Sequence, residues 1–161
     1  MGKKLKSDQK NILVVDDDMR VRTIFSSILR KEGYRVTAVK DGYEAIKAVN
    51  QESFNLALVD LRMPGLDGIQ VLEKIKSTRP QTRVIIYTGF GSKEDETEAT
   101  SKGAADYLTK PFAANELRVG VKKALVSVQH HCSQKNFSID FSLDRLEKIL
   151  IENALKGASR D

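Results

Sequence analysis

Four short apolar runs in this chain stop at residues that can do chemistry. NILVV, residues 11–15, stops at Asp16-Asp17-Asp18, and LALV, residues 56–59, stops at Asp60. RVIIY, residues 83–87, stops at Thr88, and the run 105–108 is followed one turn on by Lys110-Pro111. Acids, a hydroxyl and an amine suit phosphoryl transfer. Hard carboxylate oxygens hold Mg²⁺. A second carboxylate beside the metal can act as a nucleophile. Lysine and threonine can bind the oxygens of an incoming phosphoryl group. Asp18 reads more simply, as the residue that caps the following helix.

The elements around these residues must bring them together. Met19 to Lys31 carries Val21, Ile24, Phe25, Ile28 and Leu29 at helical spacing, and Gly33 ends that helix. Residues 34–39 form a second strand with no reactive residue at its end. Asp41-Gly42 opens a helix with Ala45, Ile46 and Val49, and Ile69, Leu72 and Ile75 mark a third. Residues 92–102 form a fourth, closed by Gly103. Residues 115–129 form a fifth, with Leu117, Val121, Ala124, Leu125 and Val128 on one face. Five strands, each followed by a helix, predict an α/β chain with an all-parallel sheet covered on both faces. Right-handed crossovers make it doubly wound, with its site at the carboxyl ends of the strands.

Composition bounds the function. With 40% hydrophobic and 30% charged residues in 161, the chain has the balance of a soluble globular protein. No apolar run approaches the roughly 20 residues that span a bilayer, so no membrane association is expected. The basic N-terminus lacks the apolar stretch of a signal peptide. One cysteine, Cys132, cannot form an internal disulfide, which predicts a cytoplasmic setting. The net charge of +5 lies in the ends: residues 1–10 hold four Lys and one Asp, while 11–112 hold equal numbers of acids and bases. A nucleic-acid binder concentrates basic charge on one element, so the sequence argues against one. His130-His131-Cys132 does not share a helix face, and Gly89-Phe90-Gly91 lacks the third glycine of a dinucleotide loop.

Taken together, ILVVDDD, LVDLRMPGLDG, the strand-end Thr88 and GAADYLTKPF stand in an order and spacing that resembles the receiver domain of two-component response regulators. YTGFG followed by DYLTKPF is most similar to receivers of the nitrogen-regulation type. The resemblance runs from Asn11 to about Val128. It implies a flavodoxin-like fold of strand order 2-1-3-4-5 with five helices. It implies that Asp60 accepts the phosphoryl group and that Asp16 and Asp17 bind Mg²⁺. The backbone carbonyl of Arg62 and Asp60 itself would complete the protein ligands. Thr88 and Lys110 would meet the phosphoryl oxygens, and Tyr107 would swing inward with Thr88. The Lys110–Pro111 peptide would be cis. The implied donor is a sensor histidine kinase or phosphotransfer protein. The domain would catalyse only its own phosphorylation and dephosphorylation, and would not be an enzyme acting on an outside substrate.

Two other readings compete. Asp16-x-Asp18 is the opening of a haloacid dehalogenase-type phosphohydrolase, but Arg20 stands where that motif continues with Thr or Val, and Asp60 would be left without a role. The second is a truncated transcriptional regulator. Residues 1–10 read as a basic tail, 11–130 as the receiver, and 131–161 as a linker and an amphipathic helix. LDRLEKILIENAL resembles the opening helix of Fis-like domains, and the chain stops at Asp161 before a recognition helix. That helix needs a surface on which to bury Leu143, Leu146 and Leu150. Its own receiver, a partner or a second copy would supply that surface, and the favoured reading is a homodimer through this helix or through the face of the fourth and fifth helices. Two more expectations concern details. Arg62 and Phe90 flank the phosphosite and restrict water. The fourth helix, whose one apolar residue is Ala99, is short or mobile before phosphorylation.

Overall fold

The computed structural model describes residues 9–126. Their elements are β1 (Asn11–Val15), α1 (Met19–Lys31), β2 (Arg35–Val39), α2 (Gly42–Gln51) and β3 (Leu56–Asp60). Then follow α3 (Gly68–Thr78), β4 (Arg83–Thr88), α4 (Lys93–Ser101), β5 (Asp106–Thr109) and α5 (Ala114–Val126). The strands form one parallel sheet of order β2-β1-β3-β4-β5. This is the flavodoxin-like, doubly wound arrangement that the sequence predicts. The strand bounds differ by one residue: β2 begins at Arg35 because Gly33 turns with φ 93°, and β5 runs one residue later. The expected C-terminal helix, and the expected continuation of the fifth helix past Val126, fall on residues outside those described.

Side chains alternate along each strand, so every strand feeds two cores. Leu13, Val15, Ala57, Val59, Val84 and Ile86 pack with α2 and α3 and with Ala99 of α4. Ile12, Val14, Leu56, Leu58, Ile85 and Tyr87 pack with Phe25 and Leu29 of α1 and Leu117 and Val121 of α5. Burial on both faces is why these strands read as continuous apolar runs. Among the described residues no helix is long and apolar enough to cross a membrane.

Helix starts bring the loops to the site edge. Asp18 caps α1 by accepting from the Arg20 N–H, as read from the sequence. Asp67 and Gln70 form a capping box on α3. At Gly68 the helix runs so close to β3 that a Cβ would lie 2.6 Å from the Asp60 carbonyl oxygen. Only glycine fits that approach. Ser92 and Asp95 form a second capping box on α4, which buries Ala99 alone. At nine residues α4 is as short as its composition implies.

Candidate functional site

Three acids, from the ends of two neighbouring strands, meet at the carboxyl edge of the sheet. Val15 pairs with Val59, which sets Asp16 and Asp60 side by side one residue further on. Carboxylate oxygens of Asp16, Asp17 and Asp60 lie within 4.8 Å of one another. Asp16 and Asp60 are buried, at 1% and 7% exposure, while Asp17 is exposed. Asp16 Oδ1 accepts from the Asp18 N–H at 2.8 Å, and its Oδ2 accepts from the Tyr87 hydroxyl at 2.8 Å. Lys110 Nζ stands 3.6 Å from Asp16 Oδ2 and 4.9 Å from the centre of the Tyr87 ring. The Arg62 N–H points at Asp60 Oδ1 from 3.4 Å.

Like charges in a buried pocket shift its proton affinities. Burial and the neighbouring Asp16 push the Asp60 carboxyl up to about 6, against a partial offset from Lys110. Burial also raises Asp16, and the hydrogen bonds from the Asp18 N–H and the Tyr87 hydroxyl oppose that rise. Hard oxygen donors that repel one another fit a small divalent cation, which relieves the repulsion. The donor set therefore suits a metal ion.

Thr88 ends β4 and is fully buried; its Oγ1 accepts from the Phe90 N–H at 3.2 Å. Thr88 pairs with Thr109, so Lys110 follows at the same edge, and the Lys110 N–H donates to the Thr88 carbonyl at 2.7 Å. The Lys110–Pro111 peptide is cis. Tyr107 of β5 reaches across to the loop after β4. Its hydroxyl is buried without a hydrogen-bond partner, directly under Gly91, where a Cβ would collide with it and lie 2.6 Å from Thr88 Cγ2. Arg62 stands on the loop after β3 and Phe90 on the loop after β4. The Arg62 guanidinium pairs with Asp95 of α4 at 2.9 Å, and the Phe90 side chain is 89% exposed.

Three features escaped sequence reasoning. Tyr87 reads as one more apolar residue of a buried strand. Its signal was parity: it shares a face with Ile85, and a buried tyrosine hydroxyl needs a partner. The Arg62–Asp95 pair joins residues 33 apart, and nothing local marks it. Gly91 reads as loop composition, whereas it leaves room for the Tyr107 hydroxyl.

Comparison with known proteins follows the same geometry. The family model for the response regulator receiver domain matches residues 12–122. Sporulation initiation phosphotransferase F of Bacillus subtilis is 36% identical over 116 residues, covering 72% of this chain and 94% of that protein. Transcriptional regulatory protein ZraR of Escherichia coli K12 is 42% identical over 118 residues. The chain spans only 27% of ZraR's length, so the match concerns a part of that regulator. The crystal structure of a CheY-like receiver domain protein from Methanospirillum hungatei JF-1 superposes with a TM-score of 0.74 at 34% identity, over 76% of this chain and 98% of that one. The beryllofluoride-activated NtrC4 receiver domain dimer gives 0.71 at 34% identity, over 74% and 99% of the two chains. With its fold, its acidic edge and a family match over most of its length, this chain belongs to the response regulator receiver domain family of two-component signalling.

Proposed function

We propose that Asp60 is the phospho-accepting residue of this receiver. The observation that carries this reading is the placement of Asp60: buried at the end of β3, within reach of two further carboxylates, with Lys110 at the same edge. Its donor is a phosphohistidine on a sensor kinase or phosphotransfer protein. An Asp60 carboxylate oxygen attacks phosphorus in line, the phosphorus–nitrogen bond breaks, and an acyl phosphate forms while the histidine leaves. Asp16, Asp17, Asp60 and the Arg62 carbonyl would hold Mg²⁺, which when bound offsets the negative charge of carboxylates and phosphoryl oxygens. Lys110 and Thr88 supply the remaining positive charge and hydroxyl donor. Arg62 and Phe90 flank the entry for water.

The switch follows from the same contacts. Thr88 Oγ1 turns toward the new phosphoryl oxygens and gives up the Phe90 N–H, and Tyr107 follows the space it leaves. The balance between two conformers shifts at the face of α4, β5 and α5. The domain acts on its own aspartate and on no outside substrate. A phosphohydrolase built on Asp16 is disfavoured, because it leaves the buried Asp60 at the end of β3 without a role and Arg20 stands where its motif continues with Thr or Val. The setting is cytoplasmic, in keeping with the lone Cys132 thiol.

Output by self-association or by a transcriptional effector remains within this reading. The NtrC4 relative is a receiver dimer, and ZraR is named a transcriptional regulator. Light scattering of the full chain against residues 1–130, with and without beryllofluoride, reads the dimer. The phosphosite is tested with acetyl phosphate and Mg²⁺. The native chain gains one hydroxylamine-sensitive phosphoryl group, and Asp60→Asn gains none. An acyl phosphate on the Asp60→Asn protein would overturn the assignment.

A further inference from the structure

Tyr87 is an unexpected residue to find at the floor of the site. Packing alone would be served by any large apolar side chain, since Tyr87 is fully buried between Phe25 at 5.1 Å and Phe112 at 6.4 Å. Those rings hold it edge-on and leave it little freedom. Its hydroxyl then reaches from β4 past β3 to β1, where it donates to Asp16 Oδ2 at 2.8 Å and lies 3.3 Å from the Val15 carbonyl. The Asp18 N–H occupies the other oxygen of the same carboxylate. Two donors on two oxygens fix the plane of the Asp16 carboxylate and leave a lone pair on each oxygen free. The ring face does a second job: Lys110 Nζ lies 4.9 Å above it, within cation–π distance, while facing Asp16 Oδ2.

We propose that Tyr87 is a positioning residue of this site: its hydroxyl fixes Asp16 as a metal ligand, and its ring seats Lys110. The inference rests on the receiver reading above and deepens it. The hydroxyl is an outer partner of a ligating carboxylate, a class of contact whose loss costs about 10–100-fold in metal affinity. It touches neither the metal nor the phosphoryl group, so its effect passes through Asp16.

The test separates hydroxyl from ring. Tyr87→Phe keeps the ring and removes the donor; Tyr87→Leu removes both. Calorimetric titration of each folded protein with Mg²⁺ reads the first role. Tyr87→Phe is expected to bind Mg²⁺ about tenfold more weakly than the native chain. An affinity within twofold of native would overturn the Asp16 role, whatever the melting temperature does, because a residue that only packs would lower stability and leave the titration alone. Phosphorylation by acetyl phosphate at saturating Mg²⁺ reads the second role. Tyr87→Phe should then approach the native rate and Tyr87→Leu should stay slower; equal rates for the two variants would overturn the Lys110 role. A native chain that neither binds Mg²⁺ nor labels at Asp60 would refute the receiver chemistry itself, a result distinct from native binding with no effect of Tyr87→Phe.

Discussion

Arg62 Nη2 lies 2.9 Å from Asp95 Oδ2, and the same Asp95 oxygen accepts the Ser92 N–H that starts α4. One carboxylate thus joins the loop that follows Asp60 to the first turn of a helix that buries Ala99 alone. An exposed ion pair of this kind is worth about 0–1 kcal/mol, and the cap about 1 kcal/mol. For a helix with so small an apolar anchor, those contributions are a large share of what holds it. Asp95→Ala is therefore expected to lower amide protection across α4 severalfold while leaving α3 unchanged. Arg62→Ala should do the same more weakly. Native α4 amides as protected as those of α3 would contradict the account.

Phe90 carries its ring in the open on the loop that follows Thr88, with its N–H on Thr88 Oγ1. Hydrolysis of an acyl phosphate needs water in line with the phosphorus–oxygen bond. Phe90→Ala should shorten the lifetime of the phosphorylated chain severalfold, and Arg62→Asn should add to it. Decay followed by loss of the hydroxylamine-sensitive phosphate checks this; an unchanged rate in both variants would show that neither side chain shields the bond.

The raised proton affinity of Asp60 has a direction in pH. At about 6, its folded-state value lies above that of the unfolded chain, so the folded protein binds this proton more tightly. In chelator-treated buffer, stability should rise as pH falls from 7 through 6 towards 4, and be lost again as pH climbs back through 6. Asp60→Asn removes the repulsion at neutral pH. It should stabilise the metal-free chain by roughly 1–2 kcal/mol, solvent screening allowed for, and flatten the rise. Thermal melts at pH 5 and 7 decide it. Millimolar Mg²⁺ should stabilise the native chain at pH 7 more than the variant.

Gly91 leaves no room for a side chain while the Tyr107 hydroxyl sits beneath it. Gly91→Ala should cost about 1–3 kcal/mol or drive the Tyr107 ring outward. Near-ultraviolet circular dichroism reports the ring. Adding Tyr107→Phe removes the colliding oxygen and should restore part of the stability; no recovery would place the strain at Thr88 Cγ2 instead.

The sheet and the acidic edge were legible because each strand's apolar run ends where chemistry begins. NILVV-Asp16 and LALV-Asp60 state both the strand and the residue it delivers. Asp18 was legible as a cap because capping is local. Contacts between distant strands were not. Tyr87 and Asp16 are 71 residues apart, and no pattern near either names the other. Roles of Thr88 and Tyr107 came through family resemblance, since spacing alone places them at the edge without saying which way they face. The bounds of β2 and β5 moved by one residue because turn geometry, not apolar content, sets where pairing starts.

Tyr87 and Thr88 are neighbours in sequence and look in opposite directions. Tyr87 belongs to the α1 and α5 side, where it meets Asp16, and Thr88 faces the loop that leads to α4. The tip of β4 is therefore a two-sided fitting whose handedness depends on an even count of residues. Deleting one residue from β4 would not merely shorten it. It would exchange the two faces, offering a hydroxyethyl group to Asp16 and turning the phenol to the opposite face. Length in this strand is thus as much a part of the site as the identity of any side chain it carries.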